Sequence, residues 1–412
     1  MNWARNLTFS AARVHRPGSV GELRQIVRNG TQVRAVGSGH SFSPIADTVG
    51  DLIRLDGLPR IVEIDRVNSM VTVSAGMRYA DIAPEINRAG FALANLAALP
   101  HVSVAGACAT GTHGSGDTQR CLAAAVAGIQ WIGPDGNLNE LQRAADPEVF
   151  AGSVVALGAL GIVTRLTLEI EPAFDLRQRV RQGISLDDVA NRFDEIFSAA
   201  YSASVFTDWH SGSAMVWLKQ RTDQPTVHLQ VGEPLSRPVH PTPGISSEAC
   251  TQQLGVVGPW HERLPHFRAE SPMWTGNELQ SEYFLPRDQA GSAFSAIREI
   301  ADLLAPILLV AEVRTVRADD LWLSPAYGRD SVTFHFTWIK NTVQVLPILQ
   351  VIEERLSRFS ARPHWGKITA MAPSDVTAHY QRADGFENLL RTYDPDGKFR
   401  NQFIEDHFPG VR

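Results

Sequence analysis

Cysteine is scarce in this chain: Cys108, Cys121 and Cys250 are three among 412 residues, odd in number and widely scattered. That excludes a disulfide framework, and no pair has the spacing of a zinc site, so reduced thiols in a cytoplasmic protein are expected. Long apolar runs are also missing. The longest, Leu303 to Ala311, is interrupted by Pro306 and falls well short of the ~18 residues a membrane helix needs, so no membrane partner is expected. The opening residues Met1 to Asn6 lack the basic, apolar and small-residue order of a secretory signal, and no Arg-Arg pair is among them. The Asn6-Leu7-Thr8 sequon is therefore read as incidental. Positive charge is in deficit, with 38 Lys and Arg against 44 Asp and Glu, a net charge of -6 and a pI near 6.1. A nucleic-acid partner is excluded on that ground, whereas small neutral or anionic ligands stay open.

What is present is a well-packed chain, 44% hydrophobic and longer than one core usually fills, so two domains are expected. The stretch Val33 to Phe42 reads as a strand running into Gly37-Ser38-Gly39-His40-Ser41, a turn bracketed by glycines with an imidazole at its tip. Gly37 and Gly39 allow positive φ and close approach to the backbone, while Ser38 and Ser41 offer hydroxyls to phosphate oxygens. A second stretch of small residues, Ser103 to Gly116, again carries glycines, hydroxyls and a histidine. Two such cradles point to a dinucleotide.

In chain order, a short strand near Val14 precedes a helix with Val20, Leu23, Ile26 and Val27 at helical spacing, closed by Gly30. Residues 61 to 64 and 70 to 74 read as a hairpin, Tyr79 to Arg88 as a helix, Pro147 to Val155 as a helix and Ile162 to Ile170 as a strand. Mixed elements with hairpins indicate an α+β fold and not a doubly wound parallel sheet. The glycine-rich loops stop at Glu171-Pro172, and a domain boundary is read there. The Pro- and Gly-rich run Val231 to Pro265 reads as an ordered surface loop covering something. Helical spacing returns at Ala290 to Leu304 and Val345 to Phe359, and strands at Leu308 to Val316 and Ser331 to Lys340 complete a small sheet.

Residues two apart on a strand share a face, so Glu312 and Arg314 point one way, as do Thr333, His335 and Thr337, opposite Phe334, Phe336 and Trp338. Taken alone, these are an ion pair and a hydrogen-bonded histidine on a solvated face. Joined by Lys367, the acid, base and hydroxyl groups form a candidate pocket for a polyhydroxylated ligand. Simpler readings of the first cradle fail: the third glycine of a dinucleotide fingerprint is missing, and Ser41 lacks a nucleophile elbow. His40, His101 and His113 have no acidic or Cys partner at ligand spacing, so no metal is expected.

The runs Gly37 to Phe42, Ser103 to Gly106, Ala109 to Gly114 and Leu160 to Val163 resemble the flavin-linked oxidases of the vanillyl-alcohol oxidase type. Glu312 to Thr315, His335 to Trp338, Pro363 to Lys367 and Asp394 to Phe399 resemble the alditol-oxidising (xylitol-oxidising) branch of that family, and the likeness spans nearly the whole chain. It implies an FAD-binding domain from both chain ends, residues 1–172 and 366–412, with an α+β cap domain over 173–365. It also implies FAD bonded covalently through His40, with Ala35, Val36, Gly37, Ser38, Gly39 and Ser41 around the pyrophosphate. Ser103, Gly106, Thr110, Gly111, Thr112, His113 and Val163 would complete the cofactor site. Glu312, Arg314 and Thr337 would hold the polyol, with His335 and Lys367 between substrate and flavin. Where relatives of that branch carry serine, this chain has Ala98, which removes a hydroxyl from the substrate site; the loss of one hydrogen bond costs roughly 0.5 to 1.5 kcal/mol.

The expected activity is oxidation of the terminal primary alcohol of an alditol such as xylitol or sorbitol, with dioxygen reduced to hydrogen peroxide. A base must take the hydroxyl proton, either His335 or Lys367. Arg314 would stabilise the developing alkoxide, with Glu312 orienting Arg314. A sugar-lactone or aldose dehydrogenase with another electron acceptor shares the same cradles, and a flavin-binding protein without turnover is the reading from another class. The partners expected are a small polyol and dioxygen, and the chain is read as a monomer.

Overall fold

The structure is a computed structural model that describes residues 1–271 and 276–411. The sequence signals act locally as expected at the N-terminal end. Ser19 Oγ accepts from the Glu22 N–H and starts the helix Val20–Asn29, whose buried side is Leu23 and Val27, and the Gly30 N–H closes it on the Ile26 carbonyl. The strand Val33–Val36 then runs parallel to Asp51–Arg54, which also pairs Arg13–His15, in a three-stranded sheet. A five-stranded antiparallel sheet follows, in the order Val62–Asp65, Met70–Ser74, Ile162–Glu169, Val126–Ile132, Leu138–Gln142. The expected hairpin and the helix Tyr79–Arg88 are both present.

The expected small sheet is a correction: among the described residues it has nine strands. Its central order is Asp175–Ser185, Ser213–Arg221, Ser202–Thr207, Leu308–Val316, Ser331–Ile339, Glu278–Pro286. One face carries Val205, Val216, Leu218, Val313, Phe334, Phe336 and Trp338, and it packs against helices through Phe197, Phe294, Ile297 and Leu349. The single helix expected over Ala290 to Leu304 is two, Ala290–Arg298 and Ala301–Leu304, separated at Glu299 and Ile300. The other expected helix runs Thr342–Leu356 with Asn341 as its cap. Among the described residues, no helix is long and apolar enough to cross a membrane.

The opposite face of the large sheet is buried rather than solvated, because the second cradle, through His113, and the loop carrying His266 lie against it. The returning C-terminal tail is held by polar bonds. The Val33 N–H donates to the Lys398 carbonyl, and Asn401 Nδ2 donates to the Asp47 carbonyl. Arg34, buried, donates to the carbonyls of Phe399 at 2.7 Å, Leu157 at 2.8 Å and Gly158 at 3.0 Å, and to that of Ile45. One guanidinium thus joins four segments directly behind the first cradle. Arg34→Met is expected to destabilise the chain by about 2–4 kcal/mol, since four carbonyls, three of them on buried residues, lose this donor; thermal or urea denaturation reads this out.

Candidate active site

The register of the large sheet builds the site. Glu312 is directly opposite His335, which is directly opposite Glu282, and Phe206 stands opposite Glu312 from the other side. Cross-strand partners share a face, so two carboxylates, an imidazole and an aromatic ring form one row. Thr337 and Gln280 form the next row. These groups border a cavity of about 310 Å³ that continues along Ala35 to Ser43, Ser103, Gly106, Thr110, Thr112 and His113. His40, Ala98, Glu312, Arg314, His335, Thr337 and Lys367 all line it. Gly111 and Val163 do not. Gly111 has φ 65° and backs onto Pro325, and Val163 pairs with Trp131 in the five-stranded sheet.

The cradle fits a ligand that approaches the main chain. A Cβ on Gly37 would stand 1.9 Å from Ser103 Oγ, and Gly39 sits at φ 70°, where side chains are strained. Ser38 Oγ accepts from the Ser103 N–H at 3.2 Å, joining the two cradles. Trp3 stacks on His40 with ring centroids 4.6 Å apart and planes 24° apart. The main-chain N–H of Trp3 donates to the Gly39 carbonyl. Burial, then Lys367 and His101, push the His40 imidazole down to about 3, so the ring is neutral and keeps a lone pair.

The chemistry at the other end turns on Glu282, which the sequence reading did not single out. It is 2% exposed. Its Oε1 accepts from Arg314 at 2.5 Å and lies 3.0 Å from His113 Nε2, while Oε2 is 3.5 Å from His335 Nδ1. Burial works against the charge, but Arg314 and His113 outweigh it and hold the carboxyl well below its ordinary range. Glu312 is a second carboxylate beside Arg314, with Oε2 3.6 Å from Arg314 Nε, and its closer partner is His266 Nε2 at 2.8 Å. His335 Nε2 faces Thr337 Oγ1 at 3.2 Å, and burial, reinforced by Lys367, lowers its proton affinity. Lys367 donates to Gln280 and lies over the Phe42 ring; burial pushes it down to about 8.

His364, His266 and Gln280 also line the cavity unforeseen, as do His240, Thr242 and Ile245 from the loop expected to cover something. A signal for Glu282 was available. Leu279, Ser281, Tyr283 and Leu285 alternate with Glu278, Gln280 and Glu282 at strand period. Among the described residues no group of three or more His, Cys, Asp or Glu is arranged to hold a metal ion.

The comparisons agree with this geometry. A family model described as FAD binding domain matches residues 11–142, which contain both cradles, and one described as D-arabinono-1,4-lactone oxidase matches residues 277–407. Among solved structures, cholesterol oxidase from B. sterolicum superposes with a TM-score of 0.81 at 14% identity, covering 99% of this chain and 96% of that one; at that identity the likeness is one of fold. Fold and site thus define an FAD-dependent oxidoreductase of the vanillyl-alcohol oxidase type. Alditol oxidase from Streptomyces sp. is 46% identical over 99% of both chains, and L-gulono-1,4-lactone dehydrogenase from Mycobacterium tuberculosis 28% identical over 98% of this chain and 97% of that one. The chain belongs to the alditol oxidase family.

Glu282→Leu leaves Arg314 and His113 buried without their partner and is expected to cost about 3–5 kcal/mol. Glu282→Gln, which keeps an acceptor in place, is expected to cost clearly less, and paired denaturation curves check the order.

Proposed function

We propose that this chain oxidises the terminal primary alcohol of alditols such as xylitol and sorbitol to the aldehyde, with dioxygen as the final acceptor and hydrogen peroxide as the second product. The observation that carries the reading is the row Glu282, His335, Glu312, with Arg314, Thr337 and Lys367 beside it, in the same cavity as His40. The full-length likeness to an alditol oxidase supports the choice of substrate class. FAD, when bound, supplies the hydride acceptor and relays the electrons to dioxygen. His40 holds it covalently through an imidazole nitrogen, a role favoured by the neutral ring and by the stacked Trp3 that fixes its plane. The backbone and hydroxyls from Ala35 to Ser41, with Ser103, Gly106 and Thr110 to His113, wrap the pyrophosphate.

The alcohol must lose its hydroxyl proton as its carbon surrenders hydride. His335 is the base. Its Nδ1–H points to Glu282, which leaves the Nε2 lone pair toward Thr337 and the substrate hydroxyl. Burial keeps the ring unprotonated and ready to accept. Lys367 is the cation rather than the base, because an amine that titrates near 8 is mostly charged at neutral pH. Arg314 adds positive charge where the alkoxide develops, and Glu312 accepts from a neighbouring hydroxyl of the polyol.

Anaerobic xylitol should bleach the yellow holoenzyme, and air should then generate stoichiometric peroxide; bleaching without peroxide would identify a dehydrogenase instead. His40→Ala should lose the FAD mass from the denatured peptide that contains residue 40. Lys367→Ala should lower turnover by roughly 10²–10⁴-fold, and an active variant sinks the assignment. The pH profile of kcat/KM should fall as pH rises through about 8, where Lys367 gives up its proton. In Lys367→Arg that alkaline limb should move upward.

A further inference from the structure

Lys219 is 1% exposed. It sits two residues after Trp217 on the strand Ser213–Arg221, and Trp217 pairs with Ser204, which pairs with Arg314, so Lys219 shares the face of the site. Its nitrogen meets three groups: the Leu264 carbonyl, the Pro265 carbonyl at 3.1 Å and His266 Nδ1 at 3.1 Å. His266 Nε2, on the far side of the same ring, is 2.8 Å from Glu312 Oε1. The His266 ring is gripped edge-on by Phe206 and Trp217, each with centroids 5.4 Å away. The His266 and Phe267 N–H groups both donate to the Ala98 carbonyl.

The hydrogen-bond polarity of this chain has one consistent solution. Glu312 is a carboxylate, because Arg314 and His266 outweigh the burial that opposes its charge, so His266 Nε2 must carry the proton that faces it. Burial and the neighbouring Lys219 push the His266 ring down to about 4 and keep it neutral, so Nδ1 has only a lone pair and the group facing it must donate. A neutral amine has two protons for three acceptors; an ammonium has three. Burial pushes Lys219 down to about 7, Glu312 and Cys250 favour its charge, and Arg314 opposes it; the three acceptors around the nitrogen suit the ammonium.

We propose that Lys219 and His266 are positioning residues for the substrate: Lys219 fixes the tautomer of His266, which occupies Glu312 Oε1 and leaves Oε2 turned to a polyol hydroxyl. The proposal rests on the polyol reading above. No bond is made or broken in this step; it sets which oxygen of Glu312 is available and holds it still. The effect is on substrate affinity, because the proton is taken by His335 and the charge is stabilised by Lys367 and Arg314, none of which this step alters.

The test uses the holoenzyme with xylitol. Lys219→Met should raise KM about tenfold with kcat within about threefold and the covalent flavin content unchanged. His266→Leu should raise KM similarly. His266→Gln should recover most of the loss, since its amide presents a carbonyl to Lys219 and an N–H to Glu312 in the same order as the ring. An unmoved KM in Lys219→Met, a fall in kcat alone, or a His266→Gln as damaged as His266→Leu overturns the proposal. If Lys219→Met does not fold, the two His266 variants decide. A wild-type holoenzyme that xylitol fails to reduce overturns the polyol reading itself, whereas a reducible wild type with an unaffected Lys219→Met overturns only the positioning.

Discussion

A carboxylate removed from water must be surrounded by charge and donors, and Glu282 meets that demand with groups from three directions. Arg314 reaches it from two strands away, His335 from the strand beside it, and His113 from the second cradle. The cost of burying the charge is offset only when all three are in place. The carboxylate therefore holds the cradle-bearing segment against the large sheet and sets which nitrogen of His335 faces the cavity. Stability and chemistry share one side chain.

The large sheet separates its duties by face. Phe334, Phe336 and Trp338 are fully buried against helices, while His335 and Thr337, between them in sequence, look into the cavity. Because the period of a strand is two, a slip of one residue in the register would move every polar group of the row into the apolar layer. That penalty makes the register robust. It also explains why a mobile hydroxylated substrate can be met by groups that do not themselves need to reorganise.

Much of this was legible in the sequence because it rests on local rules. Period-two alternation placed Glu312, Arg314, His335 and Thr337 on one face before any coordinates, and glycine spacing marked both cradles. The helix Tyr79–Arg88 and the strand Leu308–Val316 fall where their patterns end. What escaped depends on long-range pairing. Glu282 alternates correctly along its own strand, but only its position opposite His335 reveals it as the partner of Arg314. Nothing local separates Lys219 from a surface lysine, since its three acceptors come from a loop 45 to 47 residues later. The sheet was underestimated for the same reason: strands separated by more than a hundred residues pair in its centre.

Arg34 bears on how the protein is made. The guanidinium behind the first cradle has all its acceptors only when the carbonyl of Phe399 arrives, and the Asp47 carbonyl takes its bond from Asn401. A nascent chain that has not yet reached Phe399 has the glycine loop but not the full backing that shapes it. Domains generally fold as units during synthesis, yet here the first cradle waits for a carbonyl 365 residues later. The first cradle thus takes its final shape late in synthesis, once residue 399 is in place.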